Sequence, residues 1–122
     1  MRAKHVLCIV CVLTLVAANI AFAVTSSETI ALFETGAHGA DKVFDGTTKV
    51  YGAQYADATN KLYVGIQERG HYELGGVVYS IAVPAGGTAN SRHSLSNDKY
   101  HVILDPSGPM ANGCHGSGKI YQ

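Results

Sequence analysis

The segment Lys61–Val83 reads KLYVGIQERGHYELGGVVYSIAV and decides the fold class. In its first part Leu62, Val64 and Ile66 fall on one face of an extended chain, and the residues between them fall on the other. Its last part, Val77–Val83, alternates in the same way. A period of two residues is typical of half-buried strands. The segment therefore predicts two antiparallel strands, separated by a turn at Gly75-Gly76.

Two more strands are predicted towards the end of the chain. Tyr100–Leu104 is mostly apolar, and Gly118–Tyr121 is a short extended stretch. Pro84–Gly87 and Asp105–Gly108 have the glycine and proline that turns prefer. The stretch 86–98 is polar apart from Leu95 and predicts a long surface loop.

The beginning of the domain predicts one short helix. Thr25-Ser26-Ser27-Glu28 has the spacing of a capping box,. Apolar residues then recur near helical spacing as far as Ala37, and Gly36 is a natural helix end. One helix followed by a run of strands predicts an α+β domain, with the N-terminal helix packed on a central antiparallel sheet.

Residues 1–23 have the pattern of a signal peptide. Arg2 and Lys4 precede an apolar run, and Ala21-Phe22-Ala23 supplies small residues where a signal peptidase cleaves,. The run is shorter than the roughly 20 apolar residues of a membrane span. We therefore expect cleavage after Ala23, leaving residues 24–122 as a single small secreted domain without a membrane anchor.

Charge and cysteine content narrow the classes of partner. The chain has nine Lys and Arg against nine Asp and Glu, and it becomes slightly acidic once Arg2 and Lys4 are removed. Strong non-specific binding to nucleic acid or to an acidic membrane is not indicated. Cys8 and Cys11 leave with the signal peptide. Cys114 then remains alone, either as a buried thiol or as a link between two chains in a dimer.

Four pieces of the chain resemble the fungal guanyl-specific ribonucleases and the ribonuclease-like secreted effectors of fungi. The intervals between the pieces are also similar to those of that family. The resemblance covers residues 60–118 and implies a microbial ribonuclease-like fold. It would place His115 at the general-acid position, Tyr63 at a phosphate contact and His101 at the arginine position. The pieces are NKLYVG (60–65), YSIAVP (79–84), HVILD (101–105) and CHGSG (114–118).

The same resemblance implies that catalysis is lost. The two base positions hold Gly65 and Ala82, which cannot accept a proton,. It therefore implies a secreted effector, a pseudoenzyme with a virulence role that binds a host protein or RNA. His101, His115 and Tyr63 would face one cleft, and the protein would act outside the producing cell or after transfer into a host cell. The histidines lack the short spacings of zinc sites, so no metal or cofactor is predicted.

Two alternatives remain open. The first is an active guanyl-preferring endoribonuclease that uses His71 or Glu73 as its base and Arg92 as its phosphate cation. The second is a small extracellular adhesion or structural β-domain in which Cys114 joins two chains.

Overall fold

The domain is entirely β in a computed structural model that describes residues 24–72 and 75–122. The signal-peptide prediction lies outside these residues. In the described ranges there is no helix, and so none that is long and apolar enough to cross a membrane. The α+β prediction is therefore wrong. The strands are β1 (Thr25–Ile30), β2 (Ala37–His38), β3 (Lys42–Gln54), β4 (Leu62–Glu68), β5 (Val77–Val83), β6 (Thr88–Pro106) and β7 (Gly116–Tyr121).

The strands form two layers that share the long strand β6. The hydrogen-bonded order is β1-β7-β3-β6-β4-β5, and β2 also pairs with β6. The first part of β6 pairs with β3, from Ala53↔Thr88 to Lys42↔Tyr100. Its last part pairs with β4, from Glu68↔Tyr100 to Leu62↔Pro106. β6 thus passes from a layer containing β1, β7 and β3 into a layer containing β2, β4 and β5.

The core lies between the two layers, which are in close contact at Gly52 and Gly118. Gly52 on β3 is paired with Gly118 on β7. A Cβ on Gly118 would lie 2.5 Å from Leu104 Cδ2 and 2.7 Å from Val64 Cγ1, and a Cβ on Gly52 would lie 2.7 Å from Val64 Cγ2. Only hydrogen atoms at these positions allow the layers to approach this closely. The buried apolar core includes Ile30, Phe44, Val50, Leu62, Val64, Ile66, Val83, Val102, Leu104 and Ile120.

The predicted N-terminal helix is the strand β1. Ser26 and Ile30 are buried, whereas Thr25, Ser27 and Thr29 are exposed, which is the alternation of a strand,. The Ser26 hydroxyl donates to the Ala40 carbonyl at 2.7 Å and accepts from the Val102 amide at 3.1 Å. The segment predicted as a helix cap is therefore extended, and the Ser26 hydroxyl within it joins β1 to the opposite layer.

The predicted long loop is the first half of β6. Thr88, Asn90, Arg92 and Ser94 are exposed, and the residues between them are partly buried. Those partly buried positions hold Ala89, Ser91 and His93, so no apolar alternation marks the strand in the sequence. By contrast, the strand predictions over 61–68 and 77–83 are confirmed as β4 and β5, and those over 100–104 and 118–121 fall within β6 and β7.

Candidate functional site

His101 is fully buried and hydrogen-bonded at both ring nitrogens. It lies on β6, opposite Gln67 of β4. Nδ1 is 2.6 Å from Asp41 Oδ1, and Nε2 is 2.6 Å from Gln67 Oε1. The ring has 0% exposed surface. All of its polar contacts are thus internal to the folded domain.

The neighbours of His101 place an oxygen atom beside each of its ring nitrogens. Gln67 Nε2 donates to the Gly75 carbonyl at 2.7 Å, so the amide oxygen of Gln67 is the atom directed at His101. Each ring nitrogen of His101 therefore lies within hydrogen-bond distance of a side-chain oxygen,. The ring of Tyr72 stacks on His101 with a centroid distance of 5.3 Å, and His38 lies beside both rings.

His115 lies at a different place and is partly exposed. Its side chain is 40% exposed, and Nδ1 is 2.9 Å from Asp57 Oδ1. The ring of Tyr55 lies 4.5 Å away, centroid to centroid. The preceding residue, Cys114, contacts the Lys61 carbonyl at the beginning of β4. An ion pair between groups this exposed contributes about 0–1 kcal/mol.

The three sequence-predicted binding residues do not converge on one cleft. His101 lies opposite Gln67, near the end of β4, whereas His115 lies beside the start of that strand. At 3.3 Å per residue the two places are about 20 Å apart along the sheet. Tyr63 is 37% exposed and lies between Ala82 and Asp105 on neighbouring strands. Whether any of the three residues binds a ligand stays a prediction.

The residues of the endoribonuclease alternative are also dispersed. Arg92 is exposed on β6 opposite Lys49 of β3, in the layer that does not contain Tyr63. His71 is exposed after β4. Glu73 lies outside the described residues. Within the ranges that the structure describes, no group of three or more His, Cys, Asp or Glu side chains is placed to hold a metal ion.

Cys114 is buried beside a half-buried carboxyl group. Its Sγ lies 3.4 Å from the Lys61 carbonyl and 3.6 Å from that of Asn60. Burial raises the pKa of the Cys114 thiol, and the negative charge of Asp105 raises it further. Burial also raises the pKa of the Asp105 carboxyl. Because the thiolate is the reactive form, Cys114 is held as an unreactive thiol in the folded domain.

β5 forms one end of the sheet and has a free edge. β5 lies at the end of the strand order and pairs with β4 alone. Val77–Val83 has no charged residue and no proline, and Val78 is 39% exposed. In the described part of the chain, no side chain bonds to the main chain of residues 78–82. Natural proteins normally protect such an edge with lysine, proline or a covering loop.

The opposite end of the strand order is protected. The Thr29 amide of β1 donates to Glu28 Oε1 at 2.8 Å. The Ala31 amide, just after the end of β1, donates to Glu34 Oε1, also at 2.8 Å. The segment containing Gly39 and Ala40 also packs on β1, where Ser26 bonds to it. Two carboxylates and a neighbouring segment thus cover this edge, and among residues 24–72 and 75–122 nothing protects β5 in either way.

Comparison with known proteins gives limited likenesses. No family model matches the chain, and no curated protein matches it. One similar solved structure comes from the disulfide-linked pili that form Bacillus endospore appendages, with 21% identity over 81% of this chain and 83% of that chain, and a TM-score of 0.49. The crystal structure of PirA has 14% identity over 80% of this chain and 91% of that chain, and a TM-score of 0.39. Likenesses at this level say nothing about function.

The resemblance to the fungal ribonucleases is wrong. Three of the matched pieces lie in β4, β5 and the end of β6, which are neighbours in one layer, but Cys114–Gly118 leads into β7 in the other layer. The helix that the resemblance requires is the strand β1. The predictions of a ribonuclease-like fold, a pseudoenzyme and RNA binding therefore have no support. The effector interpretation, with its host partner and its transfer into a host cell, loses its basis with them.

Proposed function

We propose that this chain is a small extracellular structural β-domain that associates with a second copy of itself through β5. The observation that carries the proposal is the open and uncharged edge of that strand. Five of its seven residues have high strand propensity, alternate residues direct their main-chain N–H and C=O groups to the open edge, and no charge or proline opposes pairing,. The predicted signal peptide supports an extracellular location.

A two-fold arrangement follows from the composition of β5. Two copies of β5 in antiparallel contact would place no charged side chain opposite another. They would also cover the partly buried Tyr79 and Ile81, which lie at the rim of the core. The first half of β6 pairs only with β3 among the described strands, so its other side is also open. That strand carries Arg92, and self-pairing there would bring two positive charges together. β5 is therefore the favoured contact of a closed dimer.

The test is the oligomeric state of the purified protein across a range of concentrations, measured by light scattering coupled to size exclusion. We expect a dimer that dissociates on dilution. Ser80→Lys places a lysine on the exposed face at the middle of β5. In the dimer the two lysines would lie opposite each other, so this variant should be monomeric at every concentration.

The matched control is Ser94→Lys, an equal change at an exposed position of β6. This variant should dimerise as the native protein does. A native protein that is monomeric throughout, or a dimer lost with Ser94→Lys and kept with Ser80→Lys, would refute pairing through β5.

A covalent dimer through Cys114 stays a prediction from the sequence. The thiol lies inside the folded domain, so a bond between chains would require Gly113–His115 to leave its place beside Lys61. Gels run with and without reducing agent distinguish this dimer from the β5 dimer. On these gels, reducing agent converts the disulfide-linked dimer into monomers. The β5 dimer is not covalent, so reducing agent leaves its size in solution unchanged.

A further inference from the structure

The sequence Lys-apolar-Tyr occurs three times, and the sheet places two of the copies side by side. Lys49-Val50-Tyr51 lies on β3 and Lys119-Ile120-Tyr121 lies on β7. The antiparallel register puts Lys49 opposite Tyr121 and Tyr51 opposite Lys119. Val50 and Ile120 point into the core, so both lysines and both tyrosines point outward,. We call the outer surface formed by β1, β7, β3 and the first half of β6 the lysine–tyrosine face.

Positive charge is concentrated on this face. Arg92 of β6 lies directly opposite Lys49. Lys119 on β7 is about one strand spacing and two residues from Lys49, so the three cations lie within about 12 Å of one another along the sheet,. In the described ranges none of these three cations forms an ion pair, since the ion pairs found there are those of His101 and His115. Like charges directly opposite each other on neighbouring strands are destabilising. A bound anion would relieve this repulsion.

The rings of Tyr51 and Tyr121 contact lysine ammonium groups and are therefore not free to stack on a nucleic-acid base. The ammonium group of Lys119 lies 4.7 Å from the centroid of the Tyr121 ring and 5.6 Å from that of Tyr51. Lys49 lies 5.6 Å from the Tyr121 ring. These contacts hold the ammonium groups over the rings and fix their positions. Recognition of single-stranded nucleic acid depends on exposed ring faces, which this face does not offer.

Hydroxyl and amide groups surround the cations. Thr25, Ser27 and Thr29 on β1, Ser117 on β7, and Thr88 and Asn90 on β6 all lie on the same outer surface. A shallow groove of about 360 Å³ runs between Ser27, Thr29, Tyr51, Ser117 and Lys119. Glu28 lies at the rim of the groove, and one of its carboxylate oxygens accepts from the Thr29 amide. Such side chains can bond to the hydroxyl groups of a sugar.

We propose that the lysine–tyrosine face binds a linear anionic polysaccharide that carries carboxylate groups. Lys49, Arg92 and Lys119 pair with the carboxylates, and the surrounding hydroxyl and amide groups bond to sugar hydroxyls. An arginine fork and a fixed ammonium group both suit carboxylates. The proposal is independent of β5 pairing, because the face and the β5 edge belong to different layers.

The test is calorimetric titration of the purified protein with polygalacturonate. At about 0.01 M salt, where the Debye length is about 30 Å, we expect binding that disappears near 1 M salt. The double variant Lys49→Gln/Lys119→Gln should bind about tenfold more weakly, since each exposed cation contributes about two- to fivefold. Neutral dextran should not bind.

The control is Lys61→Gln/Arg69→Gln, which changes the net charge equally at exposed sites next to the two ends of β4, in the other layer. It should bind polygalacturonate as the native protein does. Unfolding curves should show that both double variants fold. Equal weakening in both double variants would show a non-specific charge effect and overturn the proposal. So would the absence of native binding, or equally tight binding of single-stranded polyuridylate.

Discussion

The two histidines singled out in the sequence have opposite surroundings. His101 is sealed inside the domain between Asp41 and Gln67, whereas His115 is partly exposed beside Asp57. A buried acceptor that loses its donor costs far more than an exposed one, since water replaces the donor only at the exposed site. His101 is therefore a structural residue of the sheet.

Substitution of the two histidines should separate these roles. We expect His101→Leu to lower the free energy of unfolding by about 1–3 kcal/mol, because buried polar atoms lose their partner. His115→Ala should change it by less than about 0.5 kcal/mol. Urea unfolding followed by circular dichroism measures both. Similar losses in the two variants would contradict this assignment of roles.

Asp105 should make stability depend on pH. Its pKa is raised by burial, so above the ordinary pKa of aspartate the folded chain holds a proton that the unfolded chain has released,. This carboxyl group therefore lowers stability as the pH rises through that window. Asp105→Asn should be more stable than the native protein at neutral pH, and the difference should vanish below the ordinary pKa of aspartate. Thermal unfolding at several pH values measures this. A difference that persists in acid would point to another cause.

At the scale of the strands, the alternation of apolar and polar residues in the sequence identifies those strands whose two faces differ in polarity. β4 and β5 were predictable because Leu62, Val64 and Ile66 face the core in an otherwise mixed sequence. β1 and the first half of β6 were not, since Ser26 and Ser91 occupy inward positions and their hydroxyls bond internally. The lysine–tyrosine face could be recognised only in part from the sequence, since two of the three Lys-apolar-Tyr triplets form it and the third, Lys61-Leu62-Tyr63, does not. The register of the two triplets that form it depends on pairing between strands far apart in the chain, which local patterns do not encode.

The close contact between the layers at Gly118 leads to a prediction for β7. Gly118→Ala would add a methyl group against Leu104 and Val64, and we expect a loss of about 1–3 kcal/mol in the free energy of unfolding,. Ser117→Ala, the neighbouring outward position, should change it by less than about 0.5 kcal/mol. Combining Gly118→Ala with Val64→Ala should cost less than the sum of the single losses. Strict additivity in urea unfolding would show that the methyl group does not meet Val64.

For the whole molecule, the first question is where the mature chain begins. We expect protein recovered outside the cell to begin at Val24, which N-terminal sequencing measures. Ala23→Glu should block removal of the first 23 residues, because a signal peptidase requires a small residue at that position. Ala18→Leu, inside the apolar run, should leave processing unchanged. Recovery of the full-length chain from the native gene would contradict the prediction.

The pairing of β1 with β7 has a mechanical consequence. Thr25 lies directly opposite Tyr121, and the Gln122 amide donates to the Val24 carbonyl, so both ends of the domain leave at one corner. Tension applied between them would open this ladder one residue pair at a time, as a zipper opens, with each bond loaded in turn. Force entering along a flank would instead load many bonds together in shear. A load-bearing role would therefore favour attachment through the sides of the domain over a chain strung end to end.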